Sequence, residues 1–119
     1  RPMFEEMGFT REHFQNGYSS FAVEDSLRYL KEFLLGEKIY PRFRIENFNR
    51  KLIHIVGILL NEEGQLASIS ETIIVHVDMK ARKTVEMPKE FLAKLQTIKE
   101  KHHQTGEIDF DLRLKIRSR

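Results

Sequence analysis

The sequence predicts an α+β domain in which an antiparallel meander is followed by a helix. Three observations carry this. Between Lys38 and Asp78, three successive segments either alternate apolar with polar residues or run continuously apolar. Clusters of turn formers separate those segments. From Pro88 onward the apolar spacing changes to that of a helix. The 119 residues suffice for one domain with a single core and not for two.

Taken in order, Pro2 to Met7 reads as the end of a helix stopped by Gly8. The stretch from Ser20 to Leu35 fits two readings. Val23, Leu27, Leu30 and Leu34 are spaced for a helix that Gly36 would cap, whereas Phe21, Val23, Leu27 and Tyr29 share the parity of a strand. Local period favours the helix. Lys38 to Phe48 is a half-buried strand, with Ile39, Phe43 and Ile45 on one parity and Arg42, Arg44 and Glu46 on the other. Pro41 lacks a backbone donor, which places this strand at an edge or Pro41 near its start.

Asn47 to Arg50 forms a turn, and Leu52 to Leu60 is a strand buried on both faces. Asn61 to Gln65 is a hairpin loop in which Gly64 supplies a positive φ. Leu66 to Asp78 is a long strand, with Ile69, Glu71, Ile73, Val75 and Val77 sharing one side. Pro88 opens a helix whose apolar face is Phe91, Leu92, Leu95 and Ile98, and Thr105-Gly106 ends it. Ile108 to Ile116 alternates apolar with polar, as either a further strand or an ordered tail.

Composition removes several classes. Hydrophobic residues make up 40% and charged residues 32%, which excludes a disordered or fibrous chain. With no Cys there is no disulfide framework, thiolate zinc site or cysteine nucleophile, and a reducing cytoplasmic location fits. No apolar run is long enough to span a membrane, and the first residues do not form a signal peptide. A net charge of +2 gives no case for nucleic-acid binding. The basic excess is local, with Arg113, Lys115, Arg117 and Arg119 near the C-terminus. These are read as disordered, with contact to an anionic partner or a membrane surface as the less favoured reading. Without an initiator Met, upstream residues are expected to be missing.

Four further stretches are distinctive in their order. Tyr29-Leu30, Glu32 and Gly36-Glu37 follow one another within Ser20 to Glu37. Asn49-Arg50-Lys51-Leu52-Ile53-His54 comes next, then Glu71 to Asp78, then Arg82-Lys83 and Met87-Pro88. This succession resembles the hotdog-fold acyl-CoA thioesterases, and within them the subgroup associated with carnitine and betaine catabolism. The resemblance covers Phe4 to Leu95. It implies that Ser20 to Leu30 is a strand, against the local period, and it is followed here because pairing partners override short-range propensity. It implies a curved antiparallel hotdog-like sheet, with a peripheral helix from Pro88 to about His102 and a central helix largely truncated to the remnant Met3 to Gly8. The domain then spans 1–104, with 105–119 as a basic tail or extra strand. The family's first strand and the motif-bearing loop before the central helix have no counterpart in this sequence, so its best-known catalytic positions do not carry over.

The resemblance further implies hydrolysis of an acyl-CoA thioester to the free acid and coenzyme A by a homodimer or homotetramer. No cofactor is required beyond the coenzyme A of the substrate. A non-catalytic acyl- or CoA-binding or dimerisation module is the alternative. Thioester hydrolysis needs a carboxylate to activate water. Glu24 is the candidate, because on a strand it shares a face with the small residues Ala22 and Ser26. Glu71 is expected to point into apolar surroundings and to pair with a basic strand neighbour such as Arg44. Lys80, Arg82 and Lys83 are candidates for the coenzyme A phosphates through charge-assisted hydrogen bonds. Phe9, Phe14, Tyr18 and Phe21 either line the substrate slot or pack in the core. His54 and His76 are read as strand residues, either hydrogen-bonded in the sheet or exposed, and His102 and His103 as solvated. No metal site is expected, because no histidine has a second ligand at a suitable spacing.

Overall fold

The computed structural model describes residues 3–106 and 108–116, and of Met3 and Phe4 the backbone alone. Among the described residues the element order is α1 (Met3–Met7), α2 (Arg11–Gln15), β1 (Tyr18–Tyr29), β2 (Tyr40–Phe48), β3 (Leu52–Leu60), β4 (Leu66–Asp78), β5 (Lys83–Thr84) and α3 (Lys89–Gln104). The strands form one five-stranded sheet in the order β1-β4-β3-β2, and β5 also pairs with β4. All pairings are antiparallel. The three strands read from parity are the meander β2-β3-β4. Pro41 lies on β2, an outer strand, where its missing donor is tolerated.

The stretch that local period would make helical is β1. It pairs with β4 from Tyr18↔Asp78 to Tyr29↔Ser68. Eleven residues of ladder outweigh a helical spacing whose apolar positions have nothing to pack on. The ladder contains a bulge: Ala22 faces Ile74 and Glu24 faces Ile73, leaving Val23 as the extra residue.

The sheet has two unlike faces. On one, Ile45, Ile53, Ile55 and Ile74 form a buried cluster with Met7 of α1, Met87, and Phe91 and Leu95 of α3. Gly8 has φ +112 and ends α1 directly beneath the Phe91 ring; a Cβ there would lie 2.5 Å from Phe91 Cε1. The two pieces of helix are thus packed onto the same sheet face. On the opposite face, Leu52, His54, Val56, Ile69, Glu71, Ile73, Val75 and Val77 share the registered side of β3 and β4. Residues 108–116 cross this second face as an extended strap without a ladder of their own.

The end of α3 is fixed to the β2 edge. His102 Nδ1 accepts the backbone N–H of Ile45 at 2.9 Å, and Arg44 donates to the carbonyls of His102 and Gly106 at 3.1 and 3.2 Å. The expectation that His102 and His103 are solvated is therefore corrected, since both are half-buried. The outer edge of β2 presents backbone donors that need partners, and the last turn of α3 brings His102 to one of them.

Candidate functional site

The β1 bulge decides where Glu24 points. With Val23 as the extra residue, Glu24 sits opposite Ile73 and leaves the face of Ala22, which lies opposite Ile74. The sequence expectation that Glu24 shares a face with Ala22 is corrected; it shares one with Ser26, opposite Glu71. Val23 and Glu24 line a groove of about 840 Å³ on the second sheet face. Its floor is Leu52, Ile73 and Val75, its far rim is Asn49, Arg50 and Lys51, and Lys115 and Ile116 of the strap close one side. The rim is rigid for a local reason. Asn49 Oδ1 accepts the N–H groups of Lys51 and Leu52 at 2.9 and 2.8 Å, an Asx turn that fixes the entry to β3. Arg50 lies 3.8 Å from Glu86, so Lys51 and Lys115 are the rim cations with no ion pair among the described residues. The groove lining thus holds two exposed carboxylates, Glu24 and the Arg50-paired Glu86, together with an apolar floor and the cations Lys51 and Lys115.

Glu71 lies on the same face and its side chain is fully buried. Its register partners are Val56 and Ser26, which puts His54 and Arg28 on its two diagonals, within reach of long side chains. His54 Nε2 donates to Glu71 Oε1 at 3.1 Å, and Arg28 lies 3.6 Å from Oε2. The strap supplies two more donors: the N–H of Arg113 to Oε2 at 2.8 Å and that of Leu114 to Oε1 at 3.1 Å. The expected basic strand neighbour is thus Arg28 of β1, and not Arg44. Arg44 turns toward Glu46 and the end of α3. Burying a carboxylate is tolerable only when its oxygens are satisfied, and here both are.

Lys80 and Arg82 occupy the turn between β4 and β5, Lys83 opens β5, and all three are exposed. Asp78 Oδ1 accepts the N–H groups of Lys80 and Ala81, and Arg82 takes φ +52 to bring the chain back to β5. Their side chains reach no ion pair or hydrogen bond among the described residues. Lys83 pairs with Asp78, five positions along β4 from the Ile73 that faces Glu24, a separation of about 17 Å along the strand. The basic turn and Glu24 are therefore apart, at different positions along one sheet.

On the helix face of the sheet, His13 of α2 and the buried His76 of β4 meet Nε2 to Nε2 at 2.9 Å, with Tyr18 stacked on both. His76 Nδ1 lies 3.1 Å from the Val85 carbonyl. Burial, with His76 beside it, holds the His13 pKa below the ordinary histidine value, against a smaller opposing pull from Glu90. Phe9 packs against the core, whereas Phe14 and Phe21 are exposed. This histidine pair escaped the sequence reading because α2 is only five residues long and carries no periodic signal. The Thr10 N-cap, four residues behind the last aromatic of α2, was the available cue. Among the described residues no three His, Asp or Glu side chains converge as a metal site, and no helix is long and apolar enough to cross a membrane.

Residues 1–95 match the sequence family described as the thioesterase-like superfamily. The chain belongs to that superfamily. This thioesterase-like chain is similar to bifunctional L-carnitine dehydrogenase/betainyl-CoA thioesterases. With the protein from Rhizobium meliloti it shares 33% identity over 94 residues, 78% of this chain and 19% of that protein. With the betainyl-CoA thioesterase of Pseudomonas aeruginosa it shares 30% over 88 residues, 73% of this chain and 55% of the relative. The chain thus spans about half or less of the curated relatives it matches. Its fold is that of a Staphylococcus aureus hypothetical protein solved in complex with CoA, with a TM-score of 0.81 at 20% identity over 96% of this chain and 73% of that one. It also matches a DHNA-CoA thioesterase from Staphylococcus aureus, with a TM-score of 0.74 at 16% identity over 88% of this chain and 73% of that chain. The thioesterase-like chain is therefore an α+β hotdog domain, as the sequence resemblance implied.

Proposed function

We propose that this chain hydrolyses an acyl-CoA thioester to the free acid and coenzyme A. The observation that carries the reading is the bulge that turns Glu24 into an apolar-floored groove, in a chain whose relatives include betainyl-CoA thioesterases. The Glu24 carboxylate takes a proton from water as the water oxygen bonds to the thioester carbonyl carbon. Collapse of the tetrahedral intermediate expels coenzyme A as the thiolate, which then takes up the proton. The apolar floor holds the acyl portion, and Lys80, Arg82 and Lys83 meet the coenzyme A phosphates as charge-assisted donors. No cofactor beyond the substrate's own coenzyme A is invoked.

We also propose a homodimer, or a tetramer built from such dimers, in the cytoplasm. β1 is an outer strand with a free edge, flanked on its two faces by the exposed Phe21 and by Leu27 and Tyr29, and a second copy pairing there would reduce that exposure. The test is thiol release from short, long, hydroxylated, aromatic and betainyl-CoA esters. It is run on the 119-residue chain and on any longer form of the protein that contains it. Thiol release that Glu24→Gln abolishes supports the proposal. A folded protein that binds acyl-CoA in every form, yet releases no thiol, replaces it with the binding-module reading.

A further inference from the structure

We infer that Glu71 is a positioning residue: by gripping the backbone of Arg113 and Leu114 it sets residues 108–116 as one wall of the Glu24 groove, and that wall selects the acyl chain. The inference rests on the reading that this groove takes the acyl thioester. A carboxylate on an apolar sheet face is stable only when its oxygens meet donors. The sheet supplies His54 at 3.1 Å and Arg28 at 3.6 Å. The strap supplies two successive backbone N–H groups at 2.8 and 3.1 Å. Docking of the strap and satisfaction of Glu71 are therefore one event. Arg28 reinforces it, donating to the Asp111 carbonyl at 2.6 Å with its guanidinium 6.0 Å from the Phe110 ring centre.

Immediately beyond the latch come Lys115 and the buried Ile116, both lining the groove opposite Val23 and Glu24. Ile73, on the groove floor, is the next residue on Glu71's own face of β4. Loss of the Glu71 grip therefore moves a groove wall while leaving Glu24 and the floor in place. Glu71 touches no reacting atom in this scheme.

The test uses the full chain with Glu71→Gln, Arg113→Pro and Arg113→Ala. Arg113→Pro deletes one strap donor while leaving the buried carboxylate intact, and Arg113→Ala keeps that donor as the control, because the Arg113 side chain is exposed. Two readouts are taken: amide exchange across residues 111–116, and affinity for non-hydrolysable short- and long-chain acyl-CoA thioethers. In Glu71→Gln and Arg113→Pro, strap exchange should accelerate about tenfold, the equivalent of one lost hydrogen bond. The long-to-short affinity ratio should shift by about threefold or more, and Arg113→Ala should match the wild type in both. If Glu71→Gln fails to fold, Arg113→Pro against Arg113→Ala decides alone. Faster exchange with an unchanged ratio overturns the wall's role, and unchanged exchange in Arg113→Pro overturns the latch. Wild-type protein that binds none of the thioethers overturns both the wall and the acyl-CoA reading. Hydrolysis with an unmoved ratio overturns the wall only.

Discussion

His13 Nε2 lies 2.9 Å from Nε2 of His76, and the tautomer of each ring follows from what else His76 touches. A carbonyl only accepts, so His76 Nδ1, 3.1 Å from the Val85 oxygen, carries the hydrogen. His76 Nε2 is then bare in the neutral ring, and His13 Nε2 is the donor. The bond ties α2 to β4, and hydrogens on both facing nitrogens at once would set two donors face to face. His102 is in a related position, because its Nδ1 must stay bare to accept the Ile45 N–H.

A pH dependence of stability follows. Burial, then the neighbouring His76, lowers the His13 pKa from 6.5; burial, then Arg44 and His103, lowers that of His102. Between each depressed value and 6.5 the unfolded chain binds more protons than the folded one, so stability rises with pH there. It is lost as pH falls below 6.5 and levels off beneath the folded values. The melting temperature should fall on acidification across this window. His13→Gln and His102→Gln keep a donor and an acceptor respectively but do not titrate, so together they should flatten the slope. A slope unchanged in the double variant would remove these two histidines from the account.

Glu71→Ala is expected to destabilise the fold by about 3–5 kcal/mol, since it strips a buried partner from His54, Arg28 and two backbone amides. Within that total, the Glu71–His54 coupling should exceed the Glu71–Arg28 coupling. The first is a hydrogen bond at 3.1 Å between buried groups and the second a 3.6 Å ion pair with a partly exposed partner. Urea titration of both double-mutant cycles measures this, and the reverse ranking would place the main stabilisation on Arg28.

Gly8→Ala is expected to cost about 2–4 kcal/mol by two additive mechanisms. Its φ of +112 is strained for any side chain, and a Cβ would stand 2.5 to 2.7 Å from three atoms of the Phe91 ring. Phe91→Leu in the Gly8→Ala background should recover part of the loss by relieving the contact but not the backbone strain. No recovery would mean that the strain alone accounts for the effect.

The regular parts of this fold were legible because they are local. Parity placed β2, β3 and β4 within a residue or two, and the change of period at Pro88 placed α3. β1 was not legible locally, because an outer strand with a bulge keeps exposed apolar residues at spacings that also suit a helix. Its reading as a strand came from resemblance. Parity also found Glu71, but its partners Arg28 and Arg113 are set by register and by the path of the strap, which no window of sequence contains. The alternation of 108–116 was visible, and its docking was not. The same holds for Glu24: its strand was expected, but a single extra residue at Val23 decided the face it takes.

The basic turn makes a separable prediction. Because Lys80, Arg82 and Lys83 are exposed, each removed phosphate contact should raise KM for acyl-CoA by roughly threefold to tenfold and leave kcat nearly unchanged. The triple alanine variant should also lose most of the salt dependence of KM. A fall in kcat with KM unchanged would show that the turn acts on the chemical step.

Glu24 and Asp25 provide a matched pair for the chemistry itself. They are adjacent on β1 and both exposed, and the alternation of the strand sends them to opposite faces. Glu24 opens on the groove, whereas Asp25 accepts the Thr72 hydroxyl at 2.8 Å on the helix side. Glu24→Gln keeps size and polarity while removing the base, so in the form of the protein that releases thiol, kcat should fall by about 10²–10⁴-fold. Asp25→Asn alters charge on the same strand by the same amount and should leave kcat within about twofold, because its oxygen can still accept from Thr72. Long-range electrostatics would affect the two variants alike, so a difference between them isolates the groove-facing carboxylate. Equal losses would move the general base away from β1.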